Sequence, residues 1–291
     1  MNRHAFLIMT HGNWNILDKL IQLLTDDRND IFVHIDARQR AHIPSFVLEY
    51  AQRGVINLID PIKVYWADYS QVEAILKLLK EAFSNGRYSY YHLLSGCDLP
   101  IKSKEAIYYF FENSGKNFIG IVPREVYYSV RRVKYYHFLV HNRYYRNLKV
   151  LKILDRMMEL VQRIAGVNRL KGTDYKIVDG WGLFSIRNEL CEYVISNESL
   201  IRKMFRCSIA ADELFLQTLV YNSQMYSTLF DTSDLKNGSM RYIDWERGKP
   251  YIWGNDPDDF RMLIESPYMF ARKFDEKQMW IVDEIFERLY R

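Results

Sequence analysis

Short apolar runs alternate with helix-like stretches along the first third of the chain. Apolar runs occupy residues 5–9, 31–35, 55–59 and 63–66, and apolar residues recur at helical spacing over 13–24. Strands that alternate with helices in this way are typical of βαβ units. The pattern therefore predicts an α/β fold of Rossmann type, in which a mostly parallel central sheet is flanked by helices.

A second helix and a further strand follow this region. Apolar residues recur at helical spacing from Ser70 to about Phe83, and Ser70 is a plausible N-cap. The run YYHLLS at 90–95 has the composition of a buried strand. These elements predict an open sheet with its ligand crevice at the carboxyl ends of the strands.

Polar residues follow two of the predicted strands at that edge. Thr10 and His11 come after the first strand, and His34 and Asp36 lie at the end of the second. Asp36 can hold a ribose or a base edge, or it can simply cap a loop beside a core histidine at 34. No glycine-rich dinucleotide or P-loop motif occurs, so neither of those phosphate cradles is expected.

The stretch 124–146 interleaves tyrosines with basic residues, five of them after Glu125. Such a mixture can bind single-stranded nucleic acid by stacking and phosphate contacts, and it can equally grip sugars and diphosphates. The whole chain is nearly balanced, with 40 basic and 36 acidic residues and a net charge of +4. We therefore expect no nucleic-acid partner.

The stretch 146–164 predicts a basic amphipathic helix. Leu148, Leu151, Leu154, Met158 and Val161 fall on one side, and four Lys or Arg fall elsewhere. The simpler interpretation is core packing with a solvated basic face. The alternative is peripheral attachment to an anionic membrane.

Composition narrows the class of protein further. A hydrophobic content of 48% over 291 residues is enough for a large core, and three widely spaced cysteines fit neither a disulfide framework nor a zinc site. The apolar run near the N-terminus is too short for a signal sequence or a membrane span. We expect one globular domain, 1–291, in the cytoplasm or at the inner face of the plasma membrane.

The acidic residues bear on whether a metal is used. A divalent ion that bridges to a diphosphate needs hard oxygen ligands, such as an Asp-x-Asp pair at the end of a buried strand, but LLSGCDLP supplies only Asp98. A literal pair at 256–258 lies in a turn-like segment without a preceding strand. Basic residues must then neutralise a diphosphate, and Arg241, Arg247, Lys249, Arg272 and Lys273 are the candidates.

Glu213 is the candidate for acid–base chemistry. It lies at the start of a predicted helix in which Leu216, Leu219 and Val220 face inward. An acid there can complement the helix dipole, or at a cleft rim it can take a proton from an acceptor hydroxyl. The residues alone leave both roles open.

Eight motifs in order resemble the core-2/I-branching N-acetylglucosaminyltransferase and peptide O-xylosyltransferase family, especially its compact bacterial members. The motifs are AFLIMTHGN, DIFVHIDAR, VYWADYSQVEA, YYHLLSGCDLPIKS, VDGWGLFSI, ADELFLQTLV, RYIDW and FARKFD. They extend over nearly the whole chain. GWGLF stands where the family more usually has a GSQWW-like run, which leaves the acceptor open.

The resemblance implies a GT-A-like, inverting enzyme that uses a UDP-sugar and needs no metal or other cofactor. It implies a nucleotide-binding half at 1–122 and an acceptor-binding and catalytic half at 123–291, with Glu213 as the catalytic base. The implied donor-binding residues are Thr10, His11, Asp36, Ala37, Arg38, Val64, Tyr65, Trp66, Gly180, Trp181, Arg247, Lys249, Arg272 and Lys273. The implied acceptor-binding residues are Glu125, Arg132, Lys134 and Trp245.

The resemblance thus predicts transfer of a sugar, with GlcNAc as first choice, to a hydroxyl of a glycan or lipid-linked glycan in bacterial surface polysaccharide synthesis. The alternative is a carbohydrate- or nucleotide-binding protein that keeps the fold without the activity. A nucleic-acid binder that uses 124–146 is the second rival.

Overall fold

A computed structural model describes residues 2–290 of the chain. Nine strands are formed in this range: β1 (His4–Thr10), β2 (Asn29–Ile35), β3 (Asn57–Ile59), β4 (Tyr90–Ser95), β5 (Asp98–Pro100), β6 (Phe118–Ile121), β7 (Gly180–Arg187), β8 (Arg241–Ile243) and β9 (Phe270–Arg272). Six form a central sheet in the order β3-β2-β1-β4-β7-β6, and three form a small sheet in the order β5-β9-β8. In the central sheet β3, β2, β1 and β4 are parallel, and β7 runs antiparallel to both its neighbours.

Helices surround the sheets. The α-helices are α1 (Trp14–Leu24), α2 (Ser45–Gln52), α3 (Ser70–Asn85), α4 (Lys104–Ser114), α5 (Tyr127–Lys134), α6 (Lys149–Ile164), α7 (Asn188–Ser196), α8 (Glu198–Phe205), α9 (Phe215–Tyr221), α10 (Leu235–Ser239), α11 (Asp259–Glu265) and α12 (Met279–Leu289). Short 3₁₀ helices occupy 37–42, 138–141, 211–213, 224–228 and 276–278. The predicted α/β fold, a mostly parallel central sheet flanked by helices, is confirmed.

Both faces of the central sheet are covered, which explains its continuous apolar runs. Ala5 and Leu7 of β1 pack into one hydrophobic core with α3, whereas Phe6 and Ile8 pack into a second core with α1. Successive side chains of a strand point to opposite faces, so a strand buried on both sides needs apolar residues throughout. This is why the sequence pattern located β1, β2 and β4 well.

Two local predictions were wrong. Residues 63–66 form no strand, because side chains from elsewhere satisfy their backbone: Arg38 donates to the Val64 carbonyl and the Ser70 hydroxyl accepts from the Tyr65 amide. Ser70 is the first residue of α3 rather than its N-cap, and its amide donates to Asp68 at 3.0 Å.

Core packing was only partly the right interpretation of the apolar residues in 146–164: Leu151 packs against a small buried cluster, whereas three of the other four are exposed. The two fully buried residues of α6 are Asp155 and Glu159, whereas Leu154 and Val161 are exposed. Ion pairs explain this orientation: Asp155 pairs with buried His137, and Glu159 pairs with Arg131 of α5. Within residues 2–290 no helix combines the length and apolar character needed to cross a bilayer.

Candidate active site

The register of the central sheet brings distant parts of the chain to one edge. The carboxyl ends of β1, β2 and β4 lie side by side, since Thr10 is paired with Ile35 and Met9 with Ser95. Because β7 is antiparallel, its first residue, Gly180, lies at the same edge beside Ile121. Loops that follow these strand ends therefore surround one crevice, as predicted for an open α/β sheet.

The turn after β4 packs tightly against the end of β1. A Cβ atom on Gly96 would lie 2.3 Å from the Thr10 hydroxyl oxygen, so only glycine fits without rearrangement. The Thr10 hydroxyl itself donates to the Gly12 carbonyl at 2.8 Å. At this edge the Gly96 backbone thus packs directly against the Thr10 side chain.

Asp36, Arg38 and the segment that contains Val64 and Tyr65 form one wall. Asp36 is buried and caps the 3₁₀ helix 37–42 by accepting from the Arg38 amide at 2.9 Å and from the Arg38 guanidinium. That guanidinium also lies 5.0 Å from the centroid of the Tyr65 ring. Burial would raise the pKa of Asp36, but the hydrogen bonds from Arg38 outweigh it and hold the pKa low.

Neighbouring residues complete this wall. Ala37 donates its amide to the Ile62 carbonyl at 3.0 Å. His34 is buried and accepts from the Ile62 amide, so it has the structural role that the sequence left open. Trp66 is half exposed and lies farther out, with the Lys152 ammonium 5.3 Å from its ring. The wall is therefore already ordered by internal contacts.

His11 and Lys273 lie near the same wall. Desolvation lowers the pKa of His11, the Asp36 carboxylate opposes this, and the charges of Lys273, Arg38 and Arg146 lower it further. Lys273 follows β9, and its backbone bonds to Tyr251 and Trp253 fix its position. The structure thus brings Lys273, from the end of the chain, to residues that follow β1 and β2.

Asp98 positions Arg272. Its carboxylate is buried, accepts from the Ser95 amide at 2.6 Å and from the Ser95 hydroxyl at 2.9 Å, and pairs with the Arg272 guanidinium at 2.8 Å. Burial would lower the pKa of Arg272, but Asp98 raises it, so the guanidinium stays charged. The single acid at the Asp-x-Asp position thus holds a cation in place.

Glu213 ends the 3₁₀ helix 211–213, two residues before α9. Its carboxylate is 48% exposed, and Oε2 accepts from the buried guanidinium of Arg132 at 2.9 Å. Arg132 is itself fixed by the carbonyls of Ile209 and Ala210. A buried arginine therefore holds an exposed carboxylate at the rim of the crevice.

Asp212 lies between Glu213 and β7. A Cβ atom on Gly182 would come within 3.4 Å of an Asp212 carboxylate oxygen, and Gln217 ties the Trp181 carbonyl to α9 at 2.7 Å. Burial and the neighbouring Glu213 charge raise the pKa of Asp212, while Arg132 and Arg272 oppose the rise. Asp212 thus lies between Gly182 and Glu213, where the charges of Arg132 and Arg272 also act on it.

The remaining candidates lie outside this cluster of contacts. Arg247 pairs with Asp244 at 2.6 Å and with Asp259 at 3.0 Å, and Lys249 is exposed in the same loop. Arg241 is fully buried and donates to main-chain carbonyls, so it is not available to a diphosphate. The structure leaves Lys273 and Arg272 as the best-placed cations.

Of the predicted acceptor residues, all of which lie within residues 2–290, only Arg132 contacts another candidate site residue directly. Glu125 accepts from the Ile177 amide at 2.9 Å, Lys134 lies near the Tyr135 ring, and Trp245 is half exposed. Arg132 contacts Glu213 directly, a role that the sequence did not indicate. Acceptor binding by these four residues stays a prediction.

Sequence reasoning also assigned no role to Asp212, Gly96 or Gly182. The signal was weak: Asp212 is only one residue from Glu213, and glycines at 180 and 182 lie on the same face of a strand. Within residues 2–290 no three His, Cys, Asp or Glu side chains are arranged to hold a metal ion. The pair at 256–258 forms a turn in which Asp258 pairs with Arg261.

The fold and the site together define an α/β protein with a sheet-edge crevice that combines an exposed carboxylate with fixed cations. The family model for the core-2/I-branching enzyme matches residues 4–262. The chain belongs to this family of glycosyltransferases.

Named relatives agree with this assignment. The chain is 23% identical, over 93% of its length, to the bovine beta-1,3-galactosyl-O-glycosyl-glycoprotein beta-1,6-N-acetylglucosaminyltransferase, and 22% identical to the human protein of that name. It is 30% identical over 40% of its length to xylosyltransferase sqv-6 of Caenorhabditis briggsae, 17% of which is matched. The chain spans 65% of the length of the bovine and human relatives.

Similarity to solved structures is weak. The glycosyltransferase GlyE of Streptococcus pneumoniae TIGR4 superposes with a TM-score of 0.25 at 10% identity, over 55% of this chain and 39% of GlyE. The PaToxG glycosyltransferase gives a TM-score of 0.27 at 10% identity, over 99% of this chain and 86% of the other. These scores are too low to support an argument.

Proposed function

We propose that the protein is an inverting glycosyltransferase that moves a sugar from a UDP-sugar to a glycan hydroxyl without a divalent metal. Glu213 acts as the catalytic base. The observation that supports this most is the pairing of exposed Glu213 with buried Arg132, in a site that also holds Arg272. Family membership supplies the class of reaction.

The proposed step is an in-line displacement. Arg132 occupies Oε2 of Glu213, and Oε1 takes the proton from the acceptor hydroxyl. The acceptor oxygen bonds to the anomeric carbon as the bond from that carbon to UDP breaks on the opposite face. The configuration inverts, so an α-linked donor gives a β-linked product.

Fixed cations stabilise the leaving diphosphate. Arg272 is held by Asp98, and Lys273 lies next to it in the chain, close to His11. Preorganised charges lower a barrier most when they need no rearrangement during the reaction. These two residues then do what a metal ion does in other GT-A enzymes.

The uridine is assigned to the wall formed by Asp36, Ala37, Arg38, Val64 and Tyr65, next to Thr10 and His11. Trp66 borders this pocket on its outer side. Gly180 and Trp181 contact the donor sugar, and Arg247 with Lys249 form a second, outer basic site for the donor. All of these assignments follow from the family resemblance.

UDP-GlcNAc is the proposed donor and a glycan or lipid-linked glycan of the bacterial surface the proposed acceptor. The names of the curated relatives favour N-acetylglucosamine, with xylose as the next candidate. Glu125, Arg132, Lys134 and Trp245 line the proposed acceptor side, where Trp245 stacks on a sugar ring.

A UDP-release assay tests the proposal. The full chain is incubated with UDP-GlcNAc, UDP-xylose, UDP-glucose or UDP-galactose, each with a panel of glycan acceptors, with and without excess EDTA. We expect acceptor-dependent UDP release that EDTA leaves unchanged. Release that EDTA abolishes would overturn the metal-free mechanism, and no release from any donor would favour a binding protein without activity.

A further inference from the structure

Helix α6 turns its charged side inward and its apolar side outward. The Asp155 carboxylate accepts from the buried His137 ring at 2.8 Å, and Glu159 accepts two hydrogen bonds from Arg131 at 2.7 and 2.8 Å. These are the helix's two acidic residues, and both are buried. The exposed side of α6 therefore has no negative charge.

An apolar stripe runs the length of that exposed side. Val150, Ile153, Met157, Leu160 and Ile164 are each more than half exposed. They recur at helical spacing, so they form one continuous face. A water-soluble helix normally buries such a face.

The stripe continues into a groove beside α6. Tyr136 and Phe138, which are exposed and stacked 5.4 Å apart, line this groove together with Met157 and Val161. Its volume is about 550 Å³ and nearly all of its lining is apolar. Of the 22 exposed large hydrophobic side chains in residues 2–290, 13 fall between 127 and 164. Exposed hydrophobic side chains that cluster in this way form a binding surface, whereas single exposed ones are common on any protein.

The charge around the stripe is almost entirely positive. Residues 126–171 contain eleven Lys or Arg and two acidic residues, while the whole chain has a net charge of only +4. Lys149, Lys152, Arg156 and Arg163 follow one another at helical spacing along one flank of the stripe. An apolar face beside a basic flank matches a lipid surface with negative headgroups.

We propose that the outer face of α6, with the adjoining groove, docks the protein on an anionic phospholipid membrane. The stripe enters the boundary between headgroups and acyl chains, and the basic flank contacts the headgroup phosphates. A second copy fits less well, because a symmetric pairing of two such faces brings like charges together.

Docking here places the crevice close to the bilayer. On α5, Arg131 holds α6 and the next residue, Arg132, holds Glu213. At the other end of α6, Lys152 and Arg146 lie over Trp66, which borders the crevice. The inference rests on this surface alone and does not depend on the proposed chemistry.

Co-sedimentation with vesicles tests the proposal. The full chain is mixed with phosphatidylcholine vesicles or with vesicles that contain about 30% phosphatidylglycerol. The apolar variant is Ile153→Ser with Met157→Ser, and its matched control is Leu48→Ser with Met262→Ser, two exposed apolar residues on α2 and α11. The charge variant is Lys149→Gln with Arg156→Gln. Thermal unfolding checks that every variant is folded.

We expect the wild type and the control to bind the anionic vesicles. The apolar and charge variants should each bind at least about tenfold more weakly, and added salt should weaken the wild type. Glu213→Gln should bind like the wild type, which separates docking from catalysis. The proposal is overturned if the wild type binds neither vesicle, or if the apolar variant binds as well as its control. It is also overturned if the apolar variant only converts a dimer to a monomer.

Discussion

Two neighbouring arginines of α5 each pair with a glutamate, and the two ion pairs differ in which partner is buried. Arg132 is buried and its partner Glu213 is 48% exposed, whereas Arg131 is 32% exposed and its partner Glu159 is 7% exposed. A buried carboxylate with two hydrogen bonds serves to fix α6. An exposed carboxylate held from beneath by a buried cation is available to a substrate. The same kind of ion pair thus fixes a helix on one side of α5 and, in the proposed mechanism, holds the catalytic base on the other.

The largest effect is expected for the free energy of unfolding, when a core-facing side chain of α1 and an outward-facing side chain of α6 are each truncated. If α6 is held by its buried acids, its outer face adds little to stability, unlike the inner face of α1. Leu20→Ala on α1, which is fully buried, should lower the free energy of unfolding by about 2–5 kcal/mol. Met157→Ala should change it by less than about 0.5 kcal/mol. Chemical denaturation measures both, and equal losses would mean that the outer face of α6 is buried.

The structural role of Glu159 gives the next largest effect. Glu159→Gln leaves Arg131 without its charged partner, so the free energy of unfolding should fall by roughly 1–3 kcal/mol. Hydrogen exchange should increase in α6 while α1 stays protected. Glu189→Gln, an exposed glutamate that pairs with Arg187, is the control and should change neither. Unchanged protection of α6 would show that this ion pair does not fix the helix.

On the crevice side, Lys273, which follows β9, should increase the rate of turnover. Lys273→Gln should lower kcat by about 10- to 30-fold, because the leaving diphosphate loses one stabilising charge. Lys277→Gln, an exposed lysine four residues away, is the matched control. Steady-state UDP release measures both variants. Equal activity of the two would remove Lys273 from the mechanism.

The smallest effect is expected for the pH dependence of Tm, through Asp212, the residue that precedes Glu213. Its pKa is raised in the folded protein, so between its ordinary pKa and the raised value the folded state binds more protons than the unfolded state. Stability from this group is therefore complete at low pH and is lost as the pH rises. Asp212→Asn should raise Tm by roughly 2 °C at about pH 8 and leave it unchanged near pH 4. A Tm gain that is the same at both pH values would contradict the raised pKa.

Much of the fold followed from sequence because its strands are buried on both faces. The strands β1, β2 and β4 can be predicted from their own apolar runs, without reference to distant residues. Which face of α6 is buried could not be predicted in this way, because it depends on His137 and Arg131, which lie outside the helix. A helical pattern predicts two faces but not which face the protein buries.

In the site, too, local features could be predicted from the sequence, whereas contacts between distant residues could not. Asp36 and Arg38 are two residues apart, and Glu213 lies within a short motif. All three could therefore be identified as candidate site residues from the sequence. The contacts of Asp98 with Arg272 and of Glu213 with Arg132 join residues 174 and 81 positions apart. Only the folded chain reveals such pairings, and they explain how the crevice keeps fixed charges at its rim.

In the proposed mechanism, Glu213 takes the proton of the acceptor hydroxyl. The most direct measurement is kcat for UDP release by Glu213→Gln beside Glu189→Gln, at saturating donor and with donor affinity measured separately. We predict a loss of roughly 10²- to 10⁴-fold for Glu213→Gln, with donor affinity unchanged and Glu189→Gln like the wild type. Near-normal turnover of Glu213→Gln with intact donor binding would contradict it.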